Sequence, residues 1–310
     1  MAATAPAPRP SVETRPLAAA LLMLTATGAY ACIALIARHL SSEVHAFEIL
    51  FFRNIFGLVI MLPWLWQTIR PEVLATTRIG MHGVRAGFNS LSMGCWFLAV
   101  GLIPLADATA ISFTAPLWVT IFAALFLGET VRIRRWAATL IGFAGILVIL
   151  HPGLAEGGLD ALSPGVLVAL VAAAAWAITV VTLRTLARTE RPETVLTWQV
   201  LLMAPISLPA ALLVWTWPTT EALLWLALLA ALATAGQFCH IRALALQDVT
   251  ALQPIDFVKL PIIAGLALLL FGEEPSLWTI GGGIVVFCAA SYVSWREGQL
   301  KRLRAASVVS

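Results

Sequence analysis

One apolar stretch carries two opposite charges and two prolines. Residues 251–271 read ALQPIDFVKLPIIAGLALLLF, with Asp256 and Lys259 between Pro254 and Pro261. Three residues apart on a helix, a carboxylate and an ammonium share one face and can pair. Charge in hydrocarbon is costly and marks a substrate path, a proton relay or an internal ion pair. Asp256 is therefore a candidate for proton exchange as well as substrate contact. Lys259 is a candidate holder of an anionic group when Asp256 is protonated. The competing reading is a pair that only ties helices together. Each proline removes a helical hydrogen bond and frees carbonyls beside the charges. Pro116, in FTAPLW, is a matching break, with Thr114 two residues ahead of it as Lys259 is ahead of Pro261.

Arg53, in FFRNIFGLVIMLPWLW, is a second intramembrane charge. Guanidinium stays ionised and bonds carboxylate or phosphate through a planar fork, so Arg53 must face a wet cavity, pair with Glu48 or snorkel to the interface. Gln199, Asn89 and Gln237 are neutral polar residues in apolar runs and join it as candidate substrate contacts. Tyr30 and Trp176 are candidate platforms for a planar substrate. Trp96, Trp118 and Trp198 share that description, with aromatic packing between helices as the alternative. His240 lies near a span end. Asp107 and Asp248 each open a span and read as N-caps. Glu129 and Glu273 follow glycines and read as turn or interfacial residues. Cys32, Cys95, Cys239 and Cys288 all sit in apolar segments without CxxC or zinc spacing, so they read as packing residues. No metal or other cofactor is implied.

The elements that must position these side chains follow from composition. Of 310 residues, 60% are hydrophobic and 11% charged, against about 25% charged in a soluble chain. Mean hydropathy is +0.93. The fold class expected is an all-α membrane protein whose partners are the lipid bilayer and a small-molecule substrate, not nucleic acid. Ten apolar segments are legible, near 17–37, 46–67, 86–104, 106–127 and 136–150, then 164–184, 193–215, 222–242, 248–271 and 276–294. A polar cytoplasmic tail (1–16) and a basic one (295–310) flank two five-helix units, 17–150 and 164–294. The N-terminal tail lacks a cleavable signal pattern. With the N-terminus cytoplasmic, all of the 19 lysines and arginines except Arg38, Arg53 and Lys259 fall in cytoplasmic segments. That asymmetry fixes the orientation, with both termini inside. Tryptophans near the predicted span ends fit an interfacial belt.

The two halves resemble each other. GAYACIALIARHL (28–40) parallels AAWAITVVTLRTL (174–186), so that Tyr30 meets Trp176, Arg38 meets Arg184 and Arg53 meets Gln199. LADATA (105–110) parallels LQDVTA (246–251), and LFLGET (125–130) parallels LLFGEE (269–274). Five spans per half make the second copy enter from the opposite side. Such an inverted repeat, with broken helices at matching positions, points to a secondary transporter whose site lies between the halves.

The stretches ADATAISFTAPLWVTIFAALFLGETVRIRRWAATLIGFAGILVI and DVTALQPIDFVKLPIIAGLALLLFGEEPSLWTIGGGIVVF resemble EamA-type units of the drug/metabolite transporter superfamily. The resemblance covers nearly the whole chain. It implies a ten-helix inner-membrane carrier with a central cavity lined by all spans except the fifth and tenth. Those two spans carry Gly142, Gly145 and Gly281–Gly283, and either pack on each other within one chain or form a homodimer. The expected function is secondary active transport of a small polar metabolite, amino-acid-like, zwitterionic or anionic, by alternating access. A passive channel is the alternative. An intramembrane enzyme is disfavoured, because HExxH, GxSxG and paired intramembrane carboxylates are missing. A GxxxxGK[ST] phosphate loop is missing too, so the chain itself carries no ATP motor. A bacterial inner membrane suits the Ala- and Arg-rich composition and the short loops.

Overall fold

The computed structural model describes residues 16–68, 70–127, 133–157, 163–187, 189–247, 252, 255 and 258–309. Every regular element among them is helical. The first family of helices runs α1 (Pro16–Leu40), α2 (Ala46–Thr68), the single turn α3 (Pro71–Leu74), α4 (Ile79–Leu102), α5 (Leu105–Ser112), α6 (Ala115–Leu127) and α7 (Ile133–Gly157). The second runs α8 (Pro164–Leu186), α9 (Pro192–Leu212), α10 (Thr220–Leu246), α11 (Lys259–Phe271) and α12 (Leu277–Val309). Among the described residues, six stretches are long and apolar enough to cross a bilayer: Leu17–Leu40, Ala46–Thr68, Leu105–Phe126, Pro164–Leu186, Pro192–Leu212 and Thr220–Ala243. Shorter apolar helices cover Trp136–Ile149, Lys259–Phe271 and Leu277–Tyr292.

Local chemistry sets the boundaries. Ser163 caps α8, its Oγ accepting from Val166 N at 3.3 Å, with Pro164 at the first helical position where no amide hydrogen is needed. Thr219 caps α10 in the same way through Ala222 N at 3.2 Å. Gly272 ends α11 at φ 67°, the left-handed conformation that glycine adopts without penalty. Hydroxyls inside apolar helices bond back to their own turn. Thr109 donates to Leu105 O at 2.7 Å and Thr182 to Ile178 O at 2.7 Å, so neither asks lipid for a partner.

The span near 106–127 is divided. α5 stops at Ser112 and α6 starts at Ala115, with Pro116 its second residue. Short bonds fill the gap: Thr114 N to Ile111 O at 3.0 Å and Leu117 N to Thr114 O at 2.8 Å. Proline at 116 has no N–H for the Ser112 carbonyl, which explains why the α-helical ladder stops there. Pro261 is the third residue of α11, which Val258 precedes as N-cap. Lys259 therefore opens a helix rather than sitting deep inside a described one. Pro254 and Asp256 lie outside the described residues, as do Asp248 and Glu129.

Two expectations need correction. The third apolar segment was placed at 86–104, with Arg85 in a cytoplasmic loop. α4 instead begins at Ile79, and His82 and Arg85 are buried against α9. A hydropathy reading cuts the segment at its polar first turns, whereas helical hydrogen bonding continues through them. Asp107 is not an N-cap: Pro104 holds that position, and Asp107 accepts from Thr279 Oγ1 at 2.5 Å.

The helices pair across the halves. α1 packs along α10, α4 along α8, α2 along α9 and α7 along α12, with further contact of α2 with α10, α4 with α9, α8 with α5 and α6, and α1 with α11. The main core draws Ile49, Phe97, Leu105, Ile111, Leu226 and Ile263 from both halves. The α7–α12 contact is close: a Cβ on Gly282 would stand 2.5 Å from Gly145 O. These glycines bring backbones together within the chain, which decides between the two expected uses of the fifth and tenth spans. Large apolar side chains such as Leu125 and Leu269 point outward, as on a lipid-facing surface.

One end of the bundle is tied by polar contacts between the halves. Arg38 forms an ion pair with Glu273 at 2.5 Å and donates to Val100 O at 2.7 Å. Glu273 also accepts from Leu105 N at 2.8 Å. Glu48 accepts from Thr216 N at 2.7 Å, and Glu43 from Thr219 Oγ1 at 2.6 Å. At the other end Thr76 Oγ1 donates to Glu190 Oε1 at 2.7 Å.

Candidate functional site

A cavity of about 170 Å³ opens between α1, α4, α5 and α11. Its walls are Tyr30 and Ala34 from α1, Trp96 from α4, Thr109 and Ser112 from α5, and Lys259 and Ile263 from α11. Each wall follows from a local cause. The Pro116 break ends α5 at Ser112 and leaves that residue on the cavity. The N-terminus of α11 brings Lys259 to the same place. Lys259 Nζ lies 4.7 Å from the centre of the Phe113 ring, a cation–π distance. Tyr30 packs tilted against His240, ring centres 6.2 Å apart.

Arg53 lies beside this cavity, not within its lining. Its phenolic neighbour is Tyr30, close enough to interact electrostatically. Its Nη1 donates to Asn54 Oδ1 at 3.0 Å. Asn54 is buried and donates in turn to Met203 O at 3.4 Å and Ser207 Oγ at 3.2 Å. Glu48 is engaged by Thr216 and by His45 N at 3.2 Å, so the Arg53–Glu48 pair weighed from sequence is not what forms.

The other candidates divide. Asn89 and Gln199 meet at Met203, their amide nitrogens 3.2 and 3.6 Å from its Sδ. Their carbonyl oxygens have no hydrogen-bond partner. Trp96 and Tyr30 reach the cavity, whereas Trp118 packs on Phe122 and Phe143 and Trp198 on His82. Trp176 is 46% exposed and Gln237 is exposed, so neither joins the Tyr30–Lys259 cavity. The arrangement thus gathers Tyr30, Lys259 and, one neighbour away, Arg53. Thr109, Ser112, Phe113 and Asn54 were missed. Ser112 is four residues before Pro116, and that spacing is a readable signal of a carbonyl without its helical donor. Asn54 stands directly beside Arg53 in an otherwise apolar run.

Among the described residues the site pairs no nucleophile with a base. It offers an ammonium, a guanidinium at its edge, two hydroxyls and two aromatic faces. That set binds rather than reacts.

The sequence matches the profile of the EamA-like transporter family twice, over residues 17–151 and 163–295. The chain belongs to the EamA-like transporter family. Its EamA relatives include a riboflavin transporter of Vibrio cholerae serotype O1, 30% identical over 95% of this chain and 99% of that protein. An S-adenosylmethionine uptake transporter of Rickettsia bellii is 29% identical over 84% of this chain and 87% of its own length. A pseudopaline exporter of Pseudomonas aeruginosa is 27% identical over 88% of this chain and 95% of its own. A solved crystal structure, 22% identical, shares the fold with a TM-score of 0.60 over 91% of this chain and 98% of that one. The EamA chain described here is a multi-pass membrane transporter, not an enzyme.

Proposed function

We propose that this EamA protein is a secondary carrier for a small polar metabolite with a planar or zwitterionic body and an anionic edge, moved by alternating access. The observation that carries the reading is the cavity between Tyr30, Trp96, Ser112 and Lys259, built by helices of both EamA units. Two aromatic faces suit a flat ring, and Lys259 supplies a positive charge where a carboxylate or other acceptor can dock. Two helices, α6 and α11, start near the cavity. The partial positive charge of helix N-termini favours the same kind of group. Relatives named for riboflavin transport, S-adenosylmethionine uptake and pseudopaline export support a small organic cargo.

The alternating mechanism rests on two inverted five-span units forming ten crossings. Exchanging α1 with α8, α2 with α9, α4 with α10, α5–α6 with α11 and α7 with α12 maps the α1–α10 contact onto α8–α4, and α2–α10 onto α9–α4. The α2–α9 and α7–α12 contacts map onto themselves. That pattern supports a two-fold relation between the units. The polar ties between Arg38 and Glu273 fit a state closed on the outside. We place the carrier in an inner membrane with both termini cytoplasmic, from the basic-residue asymmetry. Asp256 is the proposed proton-coupling group. Any homodimer would use surfaces other than the α7–α12 glycine contact.

Counterflow in proteoliposomes tests the proposal. Vesicles preloaded with riboflavin, S-adenosylmethionine or an amino-acid panel should accelerate entry of the labelled substrate, as a channel would not. Lys259→Gln should lower that rate about tenfold or more. Wild-type rates in both Lys259→Gln and Arg53→Gln would sink the site assignment. Full proton drive in Asp256→Asn would remove the coupling role.

A further inference from the structure

α4 carries a polar stripe among apolar neighbours. On one face it holds His82, Arg85 and Asn89. Their spacing of three and four residues stacks them along a single stripe. The stripe meets α9. His82 packs on Trp198 with ring centres 6.3 Å apart, Arg85 Nη1 donates to Val195 O at 3.4 Å, and Asn89 meets Met203.

This seam is buried and unsatisfied. His82, Arg85 and Asn89 are 2%, 7% and 3% exposed. Both ring nitrogens of His82, Nε of Arg85, Oδ1 of Asn89, Nε1 of Trp198 and Oε1 of Gln199 have no hydrogen-bond partner. Among the described residues no acid lies within ion-pair distance of Arg85. Glu190 interacts electrostatically with His82, but its carboxylate is engaged by Thr76 Oγ1. A buried guanidinium held by one long carbonyl bond is an expensive arrangement. An anion that enters the seam removes that cost.

We propose that Arg85, with Trp198 and His82, forms an oxyanion-binding site between α4 and α9, which takes the carboxylate or phosphate group of a small molecule. Arg85 supplies the charge and an unused Nε–H. Trp198 supplies an indole N–H. The amides of Asn89 and Gln199 now turn their nitrogens to a weak sulfur acceptor, and rotation of either presents N–H groups to the seam. The seam continues inward. Met203 links Asn89 to Asn54, and Asn54 accepts from Arg53 beside the central cavity. Resting on the carrier reading, this site is a second station between the cytoplasmic end and Lys259. The binding claim itself stands without that reading.

Equilibrium binding of radiolabelled inorganic phosphate to the purified full chain in detergent tests it, because no transport occurs there. Wild type should bind phosphate saturably. Arg85→Gln should weaken binding roughly tenfold, with Arg85→Lys losing less. Trp198→Phe, which keeps the aromatic packing, should weaken it several-fold and guards against misfolding of the Arg85 variants. Displacement by acetate assigns carboxylates to the site, and displacement by sulfate alone assigns tetrahedral oxyanions. No saturable binding in wild type overturns the proposal. So does wild-type binding in both Arg85→Gln and Trp198→Phe. Phosphate binding that depends on Arg85 in a protein that shows no counterflow would keep this site and remove the carrier reading.

Discussion

At the scale of single residues, charge within or at the ends of apolar helices is tolerated through specific neighbours. Lys259 has the Phe113 ring, Arg53 has Asn54, and Arg38 has Glu273. The Arg38–Glu273 pair is largely screened from solvent, at 25% and 14% exposure, and Glu273 also holds the first turn of α5 through Leu105 N. Removing one partner leaves the other charge poorly compensated. Glu273→Gln should destabilise the protein by about 1–3 kcal/mol, and Arg38→Gln by a similar amount. Denaturation of the detergent-solubilised protein measures both. The double variant should recover part of the loss, because neither charge is then stranded.

At the scale of elements, helix breaks and close contacts follow from particular residue types. α7 and α12 approach through Gly145 and Gly282, where an added Cβ would meet Gly145 O and Ile149 Cγ1 at 2.5 Å. Gly282→Ala should therefore cost about 1–3 kcal/mol by overpacking. Gly265, in α11, has nothing within 4 Å of the same position. Gly265→Ala should leave stability unchanged or raise it by up to about 1 kcal/mol through helix propensity. Thermal unfolding of the pair in one detergent separates the outcomes. Pro116→Ala restores a donor for the Ser112 carbonyl and should let α5 run into α6. Its expected signature is slower counterflow without a lower melting temperature. A lower melting temperature with unchanged counterflow would show the proline to be a packing device.

At the scale of the whole molecule, the end that holds the Arg38–Glu273 pair joins α1 and α2 of one half to α10, α11 and α12 of the other. The Glu43 carboxylate and the Thr219 hydroxyl stand 2.6 Å apart at that end. Cysteines at these two positions, in a background without the four native cysteines, should be joined by a short bifunctional methanethiosulfonate reagent, which spans the reach lost with the Glu43 side chain. The cross-link should stop counterflow, and reduction should restore it. Continued transport by the cross-linked protein would mean that this end does not open in the cycle.

The sequence by itself determined the membrane class, the helical content and the family, and it singled out three residues of the cavity wall. Sixty percent hydrophobic residues in long runs leave helices as the economical way to satisfy backbone groups in lipid, and landmarks such as LFLGET and LLFGEE recur in both halves. Tyr30, Trp96 and Lys259 were legible because a polar or aromatic group within an apolar run costs enough to be informative. The tertiary structure decided which candidates meet. Tyr30 and Lys259 share a cavity although 229 residues separate them along the chain, while Trp176, the repeat mate of Tyr30, does not reach it. It also decided that Arg85 is buried against α9 rather than in a cytoplasmic loop, and that Asp107 bonds Thr279 instead of capping its helix. The physical reason is the same in each case. Sequence reports what it costs to place a side chain in lipid or water, and only packing between distant helices supplies the partner that offsets the cost.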